Sequence, residues 1–438
     1  MSRARFASWG RYPPVRPRDQ RVLALHDRHA GLPGFDGSAL PYGNGRSYGD
    51  SCLNPGGTLL HARRLDRFIR FDPDAGVLEC EAGVLLAEII EMALPRGWFL
   101  PVTPGTRFVT VGGAIANDVH GKNHAAAGSF GDHVLDLELL RSDGSRCVCS
   151  PQADAGLFRA TIGGLGLTGV IVRARLRLRR VVGPALEVEA RRFSRLADYF
   201  TLAGETAGSE YRVAWVDCLA RGAALGRGVY THGCHAQDGA GEPQVRRRRL
   251  AVPWVPPFSL INGLSLRAFN ALYYRRVPAR AMRRVQHYRP FFYPLDEVAD
   301  WNRMYGPRGF LQYQCVVPPD HAQEATAEML DRIAASGEGS FLAVLKQFGQ
   351  RPAPGLLSFP RPGTTLALDF PFRGNRTLAL LDALDRVVMA AGGAVYPAKD
   401  ARMPPEVFAA SFPALPAFRE HVDPGFSSGL WRRVMGQT

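Results

Sequence analysis

Apolar and charged residues alternate without a break from Val172 to Arg179. Val172, Ala174, Leu176 and Leu178 fall on one side, and Arg173, Arg175, Arg177 and Arg179 on the other. A period of two sends successive side chains to opposite faces, so 170–178 predicts a strand with one buried face. Val77 to Glu81 predicts a second strand, and the alternation of Leu135, Leu137 and Leu139 before the turn residues Ser142-Asp143-Gly144 predicts a third. Between them, Leu85, Ile89, Met92 and Ala93 recur at helical spacing, predicting a helix over 84–96 stopped by Gly97.

The pattern resets at Val182–Pro184, and a domain boundary is placed there. Beyond it the chain predicts a helix over 195–202 and strands near 211–219, 228–231, 312–317, 341–348 and 364–372. Helices over 322–335 and 377–391 lie between the later strands. Strands at this spacing, broken by helices, predict a sheet with helices on one face. A chain of 438 residues exceeds one ordinary core, so two domains meeting at that boundary are expected. One stretch fits neither pattern. Residues 244–276 carry Arg246-Arg247-Arg248-Arg249 and then Trp254, Phe258, Leu260, Ile261, Leu264, Leu266 and Phe269. That composition suits a lid or a membrane-surface contact, or else a solvated loop followed by a core helix.

Composition narrows the class. No apolar run is long enough to cross a membrane, and the first ten residues lack the apolar core of a secretory signal, so a cytoplasmic location is expected. Seven scattered cysteines make no disulfide or zinc framework. The net charge of +14 favours an anionic partner, but arginine dominates and lysine is nearly absent, so the charge narrows the substrate only slightly. A nucleic-acid binder rests on that charge alone and is not adopted.

The glycines carry more. Pro41-Tyr42-Gly43-Asn44-Gly45-Arg46-Ser47-Tyr48-Gly49-Asp50 and Val102 to Gly121 are two loops in which a backbone can approach a ligand closely and turn its amides on a pyrophosphate. Gly164-Leu165-Gly166-Leu167-Thr168-Gly169 has the spacing of a dinucleotide fingerprint, yet a strand follows it where a helix is required, which rejects a nicotinamide site. His120 and His124 are four apart with no third ligand in view, so no metal is expected. Lys399, beside Asp400, reads as either a surface ion pair or a chemical lysine, and Lys346 within an apolar strand raises the same question. Gln312 and Gln314 share a strand face.

On these residues the chain resembles the flavin-dependent oxidases of the vanillyl-alcohol oxidase superfamily. Within it the likeness is to the branch acting on polyprenyl-phosphoryl ribose. The likeness runs through Ser8 to Arg11, Gly43 to Asp50, Pro104 to His124, Gly128 to Gly131, Gly163 to Gly169, Tyr313-Gln314, Leu366 to Pro371, Ala398 to Asp400 and Val422 to Pro424. It implies an α+β, two-domain FAD-binding fold, in which 1–182 and a C-terminal return of 394–438 form the FAD-binding domain and 183–393 an antiparallel substrate domain with helices. FAD would be held by Gly43, Gly45, Arg46, Ser47, Tyr48, Pro104, Gly105, Thr106, Val109, Thr110, Gly112, Gly113, Ala116, His120, Gly169, Ile171 and Tyr396. Gln312, Gln314, Lys346, Thr365 and Lys399 would face the substrate, and Lys399, His120 and Tyr48 would be catalytic, with either His120 or Lys399 taking the proton.

The implied reaction oxidises a ribose 2′-hydroxyl of a lipid-linked sugar phosphate to a ketone. A separate NADH-dependent short-chain reductase then completes an epimerisation to the arabinose form used in cell-wall arabinan. A flavin oxidase of a soluble sugar alcohol or aldonolactone is the alternative. Residues 41–51 hold no histidine, so FAD is expected without a covalent link, and peripheral membrane contact is expected through 246–269. Ala367 stands where those relatives carry a cysteine, and Thr365 where they carry an amide.

Overall fold

The computed structural model describes residues 6–237 and 250–436. The cluster Arg246 to Arg249 lies outside the described residues. In the first half, five antiparallel strands run in the spatial order Phe68–Asp72, Val77–Glu81, Val170–Arg177, Val134–Leu140, Arg146–Cys149. The alternating strand is central. Its apolar side enters a core with Leu78, Cys80, Leu137, Leu139 and Ile89, while Arg173 pairs with Glu79, Asp136 and Glu138 on the other face. Part of the basic charge is thus matched locally. A parallel three-stranded sheet, Arg21–Ala24, Thr58–His61 and Ala39–Tyr42, lies at the start of the chain, and Phe426 bridges to Ala39 there.

Two local expectations shift. The helix runs Leu86–Ala93 and tightens into a turn over Leu94–Arg96, where Pro95 removes an amide donor. Gly97 ends it at φ +78°, a left-handed conformation natural to glycine. The Leu135 alternation is broken by register shifts, so Val134, Leu137, Leu139 and Leu140 are buried instead, and Leu135 is only half-buried.

The second sheet has eight antiparallel strands in the order Met282–His287, Ala185–Phe193, Gly228–His235, Tyr211–Val216, Ala343–Phe348, Gly363–Pro371, Phe310–Val317, Ala394–Val395. Helices Leu196–Glu205, Ala322–Ser336 and Asn375–Ala390 supply Tyr199, Met329, Leu330, Leu381 and Leu384 to one core with Leu311, Tyr313, Cys315, Leu345, Leu366 and Leu368 of the sheet. Those sheet residues occupy one parity of each strand. The other parity faces away from the helices and is buried or half-buried. Gln312 lies opposite Asp369, Gln314 opposite Ala367, and Lys346 opposite Thr365. Three neighbouring strands therefore present polar groups on one interior face. Three of the eight strands, Ala185–Phe193, Met282–His287 and the short Ala394–Val395, have no counterpart among the sequence expectations.

The 244–276 stretch is neither a core helix nor slack loop over its described part. Helix Gly263–Arg275 buries Leu266 and Asn270 and leaves Leu264 and Leu272 exposed.

Candidate functional site

The two glycine-bearing loops meet. A Cβ on Gly43 would run into Thr110 Oγ1, and Asn44 Nδ2 donates to Phe108 O at 2.7 Å. Gly45 sits at φ +59°, a conformation that costs a side-chain-bearing residue and not glycine. Among the described residues, the amides of Gly43, Asn44, Gly45, Arg46 and Ser47 donate to no backbone carbonyl, although the loop is half-buried. A half-buried run of unengaged donors is what an anion such as pyrophosphate requires. Arg46 lies over the Trp9 ring at 4.1 Å, and its Nε has no partner. On the partner loop, Gly105 opens to free space. The amides further along are already engaged: Gly112 N donates to Ala82 O at 2.8 Å and Gly113 N to Thr110 Oγ1 at 3.1 Å. What glycine provides at 112 is close packing on Ala82.

Pro104 and Thr106 are half-buried beside Gly105, and Val109 accepts from Leu86 N at 3.0 Å. Ala116 O accepts from Leu165 N at 2.8 Å, which lays the 163–169 glycines along the same segment. Gly169, at φ +136°, starts the central strand, where Ile171 is buried.

Tyr48 leads from these loops to the second sheet. Its amide donates to Ala398 O at 3.0 Å, and its ring packs edge-on against Phe310 at 5.5 Å. Lys399 Nζ stands 4.0 Å from the centre of the Tyr48 ring. The surface-pair reading of Lys399 is therefore corrected, because Asp400 accepts from Arg433 instead. Lys399 is lowered by burial and raised by Asp369. Asp369 is raised by burial and lowered by Lys399 and by Gln312, whose Nε2 donates to Asp369 Oδ1 at 2.7 Å. Each buried group draws the other toward its charged form, so their proton affinities converge. Asp369 Oδ2 and Gln312 Oε1 have no partner among the described residues, leaving two buried acceptors aimed at no protein group. The Tyr48 phenol is held well above its usual range by burial and then by Asp369, so it stays protonated.

His120, at the far end of the second loop, is 8% exposed and enclosed by Phe348, Phe359 and Tyr396. Lys346 Nζ lies 3.2 Å from its Nδ1, and Gln314 Nε2 lies 3.0 Å from its Nε2. Burial, then Lys346, His124 and Lys399, hold the ring well below the usual imidazole range. His120 is thus a neutral ring near pH 7, a hydrogen-bonding group and a weak base. Tyr396 stacks on Phe359 and donates to Asn117 O at 2.8 Å. His124 turns away and accepts from Gly349 N at 3.1 Å.

The sequence holds three lysines among 54 basic residues, and all three come to this place. Lys346 is pushed down to about 7 by burial, then by Lys122 and Lys399. Lys122 is pushed down to about 7 by burial and lies 4.5 Å from the Phe291 ring centre. An arginine at these positions would keep its charge at any working pH, whereas lysine gives up a proton when buried. Lys399 has Asp369 as its counter-charge, but Lys122 and Lys346 have no carboxylate partner among the described residues, and like charges so gathered mark a place that an anion would neutralise. Lys122 and Asp369 were not among the site residues expected from sequence. Strand alternation from Thr365 through Ala367 to Asp369 was the available signal for the second.

Comparison with known proteins agrees with the two-loop geometry. Residues 35–150 match the model of an FAD binding domain. Over 98% of its length the chain is 36% identical to decaprenylphosphoryl-β-D-ribose oxidase of Mycolicibacterium smegmatis, covering 97% of that protein. It is 39% identical, over 80% of its length, to an uncharacterized protein in the mprA 5′ region of Streptomyces coelicolor, covering all of that protein. A shorter match, 30% identical over 32% of the chain and 27% of the relative, joins it to cytokinin dehydrogenase 10 of Oryza sativa subsp. japonica.

Proposed function

The chain belongs to the decaprenylphosphoryl-β-D-ribose oxidase family of FAD-dependent oxidoreductases, and from this we propose that it oxidises the 2′-hydroxyl of a polyprenyl-phosphoryl ribose to a ketone. The gathering of all three lysines in one buried site is the observation that carries this reading. In such a substrate the carbon to be oxidised adjoins the carbon bearing the phosphate, so an anion must lie within a few ångströms of the reacting hydroxyl. A soluble sugar alcohol or aldonolactone brings no such charge and leaves the lysine cluster unmatched.

The loop 43–47 and the 105–113 segment would hold the FAD pyrophosphate, with Val109, Ala116, Gly169 and Ile171 behind them and His120 and Tyr396 nearer the ring. FAD stays non-covalent, since residues 41–51 offer no histidine for attachment. Bound FAD supplies the acceptor for the hydride that leaves the substrate carbon. Lys122 and Lys346 neutralise the phosphate, and Gln314 and Thr365 fix Lys346 through His120. Gln312 and Asp369 accept from sugar hydroxyls. Lys399, its proton affinity brought toward neutrality, takes the proton of the 2′-hydroxyl, and Asp369 stabilises the ammonium that forms. Tyr48 keeps Lys399 in place with its ring face.

The ketone is half of an epimerisation, and an NADH-dependent short-chain reductase would reduce it from the opposite face. Among the described residues no helix is long and apolar enough to cross a membrane. The test is product analysis. Holoenzyme supplied with an electron acceptor and polyprenyl-phosphoryl ribose should yield a lipid two mass units lighter that borohydride returns as a ribose/arabinose mixture. Unchanged lipid would reject the reading.

A further inference from the structure

Eleven large apolar side chains are exposed among the described residues, and eight of them fall between 250 and 285: Leu250, Trp254, Val255, Phe258, Leu260, Leu264, Leu272 and Val285. Scattered exposed apolar residues are ordinary; a concentration within one segment is not. The same region has no acidic residue from 250 to 295 and carries seven arginines. Six of these, Arg267, Arg275, Arg276, Arg280, Arg283 and Arg284, are exposed. Among the described residues only Arg283 of the six reaches a carboxylate, that of Glu189.

The apolar groups stand on a fixed support. Leu250–Ala251 pairs with Val298–Ala299, Arg303 Nη1 donates to Val252 O at 2.8 Å, and Leu260 N donates to Met304 O at 2.8 Å. The intervening 253–259 loop, with prolines at 253, 256 and 257, lifts Trp254 and Phe258 outward, at 62% and 67% exposure. Helix Gly263–Arg275 begins with Asn262 capping Leu264 N and Ser265 N. Its inner side is anchored by Asn270 Nδ2, which donates to Asp217 Oδ1 at 2.7 Å, and by Phe269 against Phe341. Leu264, Ala268 and Leu272, four apart, form its outer stripe, with Arg267 and Arg275 also exposed. Beneath this platform Ile261 and Leu266 share one cluster with Tyr48, Trp301, Tyr305 and Phe310. The buried side of this platform therefore belongs to the same apolar cluster as the ring that carries Lys399.

We propose that residues 250–285 form the surface by which this protein docks onto an anionic lipid bilayer, delivering the lipid-linked sugar to the site beneath. The occupant follows from charge and shape: an outward apolar stripe with an interfacial tryptophan, rimmed by arginines and free of acids, matches acidic headgroups over acyl chains. The inference rests on the lipid-linked substrate reading, and the experiment separates the two.

FAD-loaded full-length protein is floated with vesicles of phosphatidylcholine alone and with vesicles containing 30% phosphatidylglycerol, beside the variants W254S/F258S and L264Q/L272Q. Wild type should float with the anionic vesicles at least tenfold more than with the neutral ones. Each variant should lose at least tenfold of that binding while keeping its flavin content and its turnover of a short-chain, water-soluble phosphoryl ribose. Equal partition into neutral and anionic vesicles, or variants that float like wild type, would overturn the proposal. So would apolar-surface variants that abolish a protein–protein complex while leaving vesicle binding intact. Vesicle binding without any oxidation of either ribose substrate would instead remove the substrate reading and leave the docking surface standing.

Discussion

Lys346 Nζ, on the second sheet, and His120 Nδ1, at the end of the second glycine-bearing loop, lie 3.2 Å apart. An ammonium only donates, so a protonated Lys346 makes Nδ1 the acceptor and puts the ring hydrogen on Nε2. Gln314 must then offer its carbonyl oxygen to that hydrogen, and the Thr365 hydroxyl, 3.2 Å from the same end of the amide, donates to it as well. When Lys346 loses its proton the chain can reverse. One proton thus sets the orientation of four side chains around the phosphate-facing lysine.

Substrate binding should accordingly take up a proton. Lys346 in the free protein titrates at about 7, and a bound phosphate favours its charged form. KM for the lipid-linked ribose should rise with pH above 7, by up to about tenfold per unit, with kcat changing less. In K346M the KM should be high at pH 6.5 and should rise less steeply with pH, keeping only the dependence that Lys122 leaves. Steady-state kinetics from pH 6 to 9 decide this; a flat wild-type KM would contradict it.

Stability carries the same signature with a definite sign. The folded state binds the Lys346 proton only below about 7, while the unfolded chain holds it up to 10.5. Between those values the unfolded state binds more protons, so the contribution of this group favours folding more as pH rises. Removing the amine in K346M should raise the melting temperature of the flavin-free protein by roughly 2–4 °C at pH 6.5, with the gain shrinking toward pH 10. Calorimetry on the two proteins reads the difference directly.

Charge alone should not serve at position 399. Arginine keeps its proton, so K399R should lose turnover at least a thousandfold, as severely as K399A, while both retain flavin and fold. D369N removes the carboxylate that raises Lys399. Its acidic limb of kcat against pH should move to lower pH, with the plateau reduced about tenfold. A K399R enzyme near wild-type rate would take the lysine out of proton transfer.

The cofactor cradle is tested at Gly43, where a methyl group would collide with Thr110 Oγ1. G43A should purify with at least tenfold less FAD and a normal fold by circular dichroism. Acid precipitation of wild type should leave a yellow supernatant and a colourless pellet; a yellow pellet would indicate a covalent link.

Much of this architecture is legible from local pattern. The Val170–Arg177 strand announces itself because one face is core and the other is ion pairs. Helix Ala322–Ser336 does so because Ala322, Ala325, Met329 and Ile333 recur at its period. The glycine loops are legible as ligand-facing backbone. Their contact through Thr110 is not, since it joins residues 67 positions apart. Lys399 shows the limit most clearly. In sequence its neighbour is Asp400, but a tight turn sends the two side chains apart, to Tyr48 and to Arg433. Its electrostatic partner Asp369 comes from another strand, and only the register of that sheet reveals it. Strand Met282–His287 is missed because it lies at a sheet edge with none of its six residues buried and no apolar alternation to mark it.

Anaerobic mixing of the FAD-loaded protein with polyprenyl-phosphoryl ribose tests the central claim most directly, because it reads the cofactor and needs no knowledge of the final electron acceptor. The flavin absorbance should bleach fully, and soluble aldonolactones and sugar alcohols should leave it oxidised. Flavin that stays oxidised with the lipid-linked ribose but bleaches with a soluble, uncharged sugar would contradict the assignment.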